Sequence, residues 1–87
     1  MKSLVFELNA IEDLEYWIKN NKRIAQKVIK IIKELDREPF GGLNKPEPLK
    51  YNYQGCWSKR IDEEHRLIYE VFDDKIVILA CRYHYDD

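Results

Sequence analysis

Apolar residues recur at helical intervals in two stretches of the chain. The clearer stretch, residues 22–36, predicts a helix whose buried face holds Ile24, Val28, Ile31, Ile32 and Leu35. An earlier helix is predicted to begin at Asn9, because Asn9 and Glu12 have the spacing of a capping box and are followed by Ile11, Leu14 and Ile18. Asn20 and Asn21 separate the two predicted helices.

Short β-favouring runs predict five strands, at residues 2–8, 49–53, 56–62, 65–72 and 75–85. Residues 38–48 hold three prolines and two glycines, which predicts a loop. Only short connections separate the last four predicted strands, so these strands should pair as antiparallel neighbours. We therefore expect an α+β fold: an N-terminal strand, two helices and a four-stranded antiparallel meander, with the helices on one sheet face.

The composition fits one folded domain over residues 1–87, because 45% of the residues are hydrophobic and the chain is too short for two cores. Lys and Arg total 15 against 16 acidic residues, so the net charge of −1 gives no global indication of nucleic-acid binding. Cys56 and Cys81 lack a C-x-x-C spacing and are expected to be buried, reduced thiols. The sequence has no signal-peptide pattern and no long apolar run, and we expect a cytoplasmic protein.

One face of the second predicted helix is basic. This basic stripe consists of Lys22, Arg23, Lys27, Lys30, Lys33 and Arg37. Clustered positive charge suits a phosphate backbone, and the same pattern also fits an ordinary solvated helix face.

Three side chains could together support RNA cleavage, in which a ribose 2′-hydroxyl attacks the adjacent phosphorus with the help of a base, an acid and a cation. Glu47 lies between Pro46 and Pro48, which stiffen the backbone that presents its carboxylate. Arg66 begins a predicted strand and has a planar guanidinium that suits a phosphate. His84 can donate a proton near neutral pH. Each residue alone also fits a solvated surface group, and either Glu47 or His84 can be the base.

Further cations and aromatic residues lie in the same predicted strands: Lys59, Arg60, Arg82, Tyr83 and Tyr85. They could bind phosphate and stack on unpaired bases, or form surface salt bridges and pack at the rim of the core. We interpret the second histidine, His65, as structural.

Cooperation between Arg66 and His84 requires an irregular strand register. With a regular two-residue turn at Asp73-Asp74, strand pairing would place the two side chains on opposite sheet faces. A three-residue connection or a β-bulge would bring Arg66, Arg82 and His84 to one face, and we predict such an irregularity.

Four blocks of the sequence resemble the YoeB (Txe/YoeB) branch of the RelE-like toxin superfamily, in order and spacing. They are KPEPLK at 45–50, GCWSKRI at 55–61, EEHRLIYEV at 63–71 and ACRYHY at 80–85. The resemblance implies a RelE-like fold and a ribosome-dependent endoribonuclease that uses no metal or other cofactor and cuts messenger RNA in the ribosomal A site. It also implies a YefM-like antitoxin as partner and a homodimer.

The resemblance further implies roles for individual residues. Glu47 would be the general base, His84 the general acid, and Arg66 the cation that stabilises the phosphorane charge. Lys50 and Arg60 would support phosphate binding and Tyr85 would contact the nucleotide, with Arg82 as a further substrate-binding candidate. The family usually stops at the tyrosine matching Tyr85, whereas Asp86 and Asp87 follow here and add negative charge next to the site.

Two other functions fit the same predicted fold. One is a toxin resembling the ParE-like gyrase inhibitors, which needs no Glu, Arg and His site. The other is an RNA-binding module without cleavage, which would use the basic stripe and the tyrosines. The complete KPEPLK and RYHY blocks favour the nuclease.

Overall fold

The computed structural model describes residues 2–83, which form two helices packed on a five-stranded mixed sheet. The elements are β1 (Ser3–Phe6), α1 (Leu8–Asn20), α2 (Lys22–Leu35), β2 (Glu47–Pro48), β3 (Cys56–Arg60), β4 (Arg66–Val71) and β5 (Lys75–Ala80). A short 3₁₀ helix, Tyr51–Tyr53, lies between β2 and β3. The predicted α+β class and both predicted helices are confirmed.

The sheet has the strand order β1-β5-β4-β3-β2. β1 runs parallel to β5, and the other neighbours are antiparallel, as predicted for the meander. The strand predicted at residues 49–53 is wrong: the pairing residues are Glu47 and Pro48, and the 3₁₀ helix follows them. The chain reverses here, with the Leu49 N–H donating to the Cys56 carbonyl at 2.9 Å and Gly55 at φ +95°, so too few residues remain for an extended strand.

The two helices begin differently. At α2 the Asn21 side chain accepts a hydrogen bond from the Ile24 N–H at 3.3 Å, which is an ordinary N-cap. The predicted capping box at Asn9 is wrong, because α1 begins at Leu8 and Glu7 makes no side-chain cap. Instead, the Asn9 amide donates to the Leu79 carbonyl at 3.2 Å and so joins α1 to the sheet.

The main core lies between the helices and one face of the sheet. Its buried residues include Val28, Ile31, Ile32 and Leu35 from α2, as predicted, whereas Ile24 is only partly buried. The sheet contributes Leu67, Tyr69, Ile76 and Ile78 to this face. A smaller cluster of Cys56, Ile68 and Ala80 lies on the opposite face, which we call the open face. Both cysteines are buried and neither is in a disulfide, which confirms that prediction.

The register between β4 and β5 is irregular, as predicted. The turn at Asp73-Asp74 is a regular two-residue connection, closed by the Phe72 N–H on the Lys75 carbonyl at 2.8 Å. The irregularity comes later: Tyr69 pairs with Ile78 while Ile68 pairs with Ala80, so Leu79 is an extra residue in β5. The bulge reverses the alternation at Ala80, the last residue of β5, which packs with Ile68 on the open face.

No helix within residues 2–83 is long and apolar enough to span a membrane.

Candidate functional site

Arg66 is the centre of the candidate site on the open face. Only 9% of the residue is exposed. Its Nε donates to the Ser58 Oγ at 2.8 Å, and its Nη2 donates to the Lys45 carbonyl at 3.0 Å. Ser58 is completely buried. These two bonds hold the guanidinium plane in place and leave further N–H groups for an anion.

Glu47 lies at the exposed rim of the site around Arg66. It pairs with Ser58 across β2 and β3, and its Oε1 lies 4.0 Å from the Arg66 Nη2. The side chain of Glu47 is 62% exposed, in contrast to 11% for Arg66. Glu47 was predicted in a loop, and it lies instead in a two-residue edge strand, which gives its carboxylate a defined height above the sheet.

The loop before β2 has an unusual backbone that contributes to the site. Asn44 and Lys45 have φ values of +71° and +49°, which residues other than glycine rarely adopt. The Asn44 carbonyl accepts the Arg60 N–H at 2.6 Å, and the Lys45 carbonyl accepts Arg66. Such conformations cost about 1–3 kcal/mol each and cluster at active sites, ligand clamps and switch regions.

Arg60 is the direct cross-strand partner of Arg66. Like charges in this position oppose strand pairing unless an anion or carbonyl oxygens compensate. The Arg60 Nε donates to the Asp62 carbonyl at 3.1 Å, which provides part of this compensation. Two arginines therefore face the same side of the sheet, within one strand spacing of each other.

Two other predicted cations lie elsewhere. Lys59 faces the helices and is completely buried, with its Nζ donating to the Glu38 carbonyl at 2.9 Å. Burial lowers its pKa, against the charges of Glu34 and Glu38. The Arg82 guanidinium lies 3.4 Å from the ring centroid of Tyr16 on α1 and 4.6 Å from that of Tyr83. Arg82 therefore packs on α1, and the prediction that it joins Arg66 on one sheet face is wrong.

Side chains that the sequence did not indicate hold the chain beyond β5. The buried Trp17 Nε1 donates to the Cys81 carbonyl at 2.8 Å, and the Cys81 N–H donates to an Asp13 carboxylate oxygen at 3.0 Å. Burial raises the pKa of Asp13, while its hydrogen bond from Cys81 and the charge of Arg82 lower it. The helical spacing of Asp13 and Trp17 was the available signal, because it places both on one side of α1.

Tyr83 is held at both backbone groups by two successive residues. Its N–H donates to the His65 Nδ1 at 2.7 Å, and its carbonyl accepts the Arg66 N–H at 3.0 Å. These two bonds fix Tyr83, which directly precedes His84 in the sequence, against the start of β4. His84 and Tyr85, and the Asp86-Asp87 tail, lie outside the described residues.

The basic stripe is exposed at all six positions, five on α2 and one, Arg37, just after it. No ion pair joins these side chains to another residue within residues 2–83. A groove of about 440 Å³ between α2 and residues 43–44 is lined by Arg23, Lys27 and Lys30. Lys50 is exposed as well. Phosphate binding by these residues stays a prediction. Over residues 2–83, no three His, Cys, Asp or Glu side chains form a group that could hold a metal ion.

Comparisons with known proteins place this geometry in a family. Residues 6–85 match the family described as the YoeB-like toxin of the bacterial type II toxin-antitoxin system. "Toxin YoeB" of Escherichia coli O6:H1 is 52% identical over 82 residues, covering 94% of this chain and 98% of that protein.

Three solved structures have the same fold over nearly the whole chain. A YoeB/ParE toxin from Agrobacterium tumefaciens has a TM-score of 0.90 at 40% identity, covering 98% of this chain and 100% of that one. The YoeB dimer from Staphylococcus aureus has a TM-score of 0.88 at 41% identity, covering 97% and 98%. A YoeB-YefM complex from the same organism has a TM-score of 0.86 at 42% identity, covering 98% and 99%. The chain belongs to the family of YoeB-like toxins of bacterial type II toxin-antitoxin systems.

Proposed function

We propose that this toxin is a ribosome-dependent endoribonuclease that cuts messenger RNA in the ribosomal A site without a metal ion. The observation that carries the proposal is the convergence of three segments at Arg66: Glu47 beside its guanidinium, Arg60 opposite it, and the Tyr83 carbonyl on its backbone N–H. This arrangement offers a carboxylate and two cations next to the point where the chain continues into His84.

The reaction follows from these groups. Glu47 takes the proton of a ribose 2′-hydroxyl, whose oxygen forms a bond to the adjacent phosphorus. The bond from phosphorus to the 5′-oxygen breaks, and His84 gives that oxygen a proton. Arg66, which is already oriented by Ser58 and Lys45, stabilises the negative charge that develops on the phosphoryl oxygens. The products are a 2′,3′-cyclic phosphate and a 5′-hydroxyl end.

The electrostatic arrangement supports a bound phosphate. Arg60 and Arg66 are direct partners on the neighbouring strands β3 and β4, so their positive charges repel each other. An anion bound between them relieves this repulsion. Because Glu47 is largely exposed, its carboxylate can turn from Arg66 to a substrate hydroxyl. Lys50 and Tyr85 are proposed as further contacts to the nucleotide and its phosphates.

The test is cleavage of a messenger RNA on programmed ribosomes, with the same RNA free in solution beside it. We expect ribosome-dependent cuts that disappear when the nucleotide before the cut carries a 2′-deoxy sugar. Glu47→Gln, Arg66→Ala and His84→Gln should each lower the cleavage rate by at least about 10²-fold. Glu12→Gln, an exposed glutamate on α1, is the matched control for Glu47→Gln and should leave the rate unchanged.

Two results would contradict the proposal. Cleavage of the 2′-deoxy substrate would exclude attack by the 2′-hydroxyl, and full activity of all three variants would exclude the site. If the unchanged protein cuts no RNA, inhibition of gyrase supercoiling tests the ParE-like alternative, and binding of uncut RNA tests the RNA-binding alternative.

We also propose a YefM-like antitoxin and a second copy of the chain as partners, because relatives from Staphylococcus aureus were solved as a YoeB-YefM complex and as a YoeB dimer. Sedimentation equilibrium of the isolated toxin should give twice the mass of one chain. Addition of the antitoxin should stop the cleavage and change the mass of the particle. A monomer at all concentrations would contradict the dimer.

A further inference from the structure

His65 contacts the chain at the last described residue before His84. Its side chain is 12% exposed, and its ring packs edge-on against Trp17 with 4.8 Å between ring centroids. Its Nδ1 accepts the Tyr83 N–H at 2.7 Å, so this nitrogen carries no proton in the described geometry. The other ring nitrogen, Nε2, lies 3.7 Å from a Glu64 carboxylate oxygen.

This hydrogen bond lies beyond the paired part of β4 and β5. The pairing ends at Ile68 and Ala80, and the Trp17 and Asp13 side chains then hold the backbone of Cys81. Tyr83 has φ +71°, a conformation that turns the chain sharply and that tyrosine adopts only when its surroundings hold it there. His65 holds the N–H of Tyr83, and Arg66 holds its carbonyl.

We propose that His65 is a positioning residue for cleavage: by accepting the Tyr83 N–H it fixes the conformation of Tyr83, the residue that directly precedes the proposed general acid His84. The inference rests on the proposed function. His65 acts through the backbone of Tyr83 and not on the substrate. A displacement of a catalytic group by about 1 Å can lower a rate by about 10²-fold, so one backbone hydrogen bond at this point is sufficient to control the rate.

Two substitutions separate the hydrogen bond from the packing of the ring. His65→Phe keeps a ring against Trp17 and removes the acceptor. His65→Asn removes the ring and keeps an acceptor oxygen close to the position of Nδ1. A residue that only packs in the core would tolerate Phe better than Asn, whereas the positioning role requires the opposite order.

The experiment measures single-turnover cleavage on programmed ribosomes as the toxin concentration is raised to saturation, below the melting temperature of each variant. We expect His65→Phe to lower the saturated rate by at least about tenfold, with the half-saturating concentration within about threefold of the unchanged protein. His65→Asn should keep the saturated rate within about threefold. Hydrogen exchange at the Tyr83 amide, measured by NMR, should be fast in His65→Phe and slow in the other two proteins.

Each of the following results would overturn a different part of the proposal. A His65→Phe variant that cleaves as fast as the unchanged protein, or faster than His65→Asn, overturns the positioning role while the proposed function stands. An unchanged protein that cuts no RNA refutes the proposed function and the inference with it. Equal exchange of the Tyr83 amide in all three proteins overturns the hydrogen bond itself, whatever the cleavage rates.

Discussion

Ser58 provides the acceptor that orients the Arg66 guanidinium. Its side chain is completely buried, and the 2.8 Å bond from Nε is charge-assisted. Ser58→Ala would leave that N–H facing a methyl group in a site that excludes water. A hydrogen bond to a charged group contributes about 1.5–3 kcal/mol, so we expect the free energy of unfolding to fall by that amount, which is roughly 10 °C in melting temperature for a domain of this size.

A double-mutant cycle measures this interaction directly. Urea unfolding is followed for the unchanged protein, Ser58→Ala, Arg66→Met and the double variant. In the Arg66→Met background the hydroxyl has no charged donor, so Ser58→Ala should cost little there, and the coupling energy should be about 1.5–3 kcal/mol. Ser3→Ala is the control, because Ser3 is exposed and its loss should change stability by less than about 0.5 kcal/mol.

A coupling energy below about 0.5 kcal/mol would refute the reasoning, because Ser58 would then not hold Arg66 in solution. The cleavage assay provides a second reading. A guanidinium without its Ser58 contact can rotate away from the developing charge, so the saturated cleavage rate of Ser58→Ala should fall while ribosome binding is kept.

Two further predictions concern buried groups on the helix side of the sheet. Because burial lowers the pKa of Lys59 below its ordinary value of 10.5, the fold disfavours its charged form, and this penalty is relieved as the pH rises through the folded pKa. Urea unfolding at neutral pH and at about pH 10 measures the difference in free energy of unfolding between the unchanged protein and Lys59→Met. This difference should shift in favour of the unchanged protein at the higher pH, and a difference independent of pH would contradict the argument. Burial, with the charge of Asp13, raises the pKa of the Cys81 thiol to about 12. Iodoacetamide should therefore label Cys81 far more slowly in the folded chain than in urea, and peptide mass spectrometry measures the two rates. Labelling at the unfolded rate would show that the thiol is accessible.

The sequence predicted the structure best where apolar residues repeat at one regular interval. In α2, five apolar residues at helical spacing indicate the helix, and its predicted and observed bounds differ by one residue. The pattern was misleading at residues 49–53, where two tyrosines favour a strand. There the chain must reverse within a few residues to reach β3, so the tertiary constraint overrides the local preference.

The alternating directions of the side chains along β3 separate the cations that can reach the candidate site from those that cannot, which a count of Lys and Arg does not. Trp57, Lys59 and Ile61 have one parity, and Ser58 and Arg60 have the other. The first set faces the helices, which is why Lys59 is buried and lies apart from Arg66. The bulge at Leu79 was predictable only as a requirement of joint action by Arg66 and His84, since no residue pattern in β5 marks its place.

The two faces of the sheet contribute differently to folding and function. The helix face carries the main core, whereas the open face carries features that oppose folding: Arg60 opposite Arg66, and the left-handed residues Asn44 and Lys45. Such features persist only where the rest of the fold offsets them, and here the helix face does so. Replacing Arg60 with an uncharged strand-forming residue should therefore leave stability equal or higher while cleavage falls. A surface kept only for stability would show the reverse, so this opposition between stability and activity is the result that the proposed function predicts for the open face.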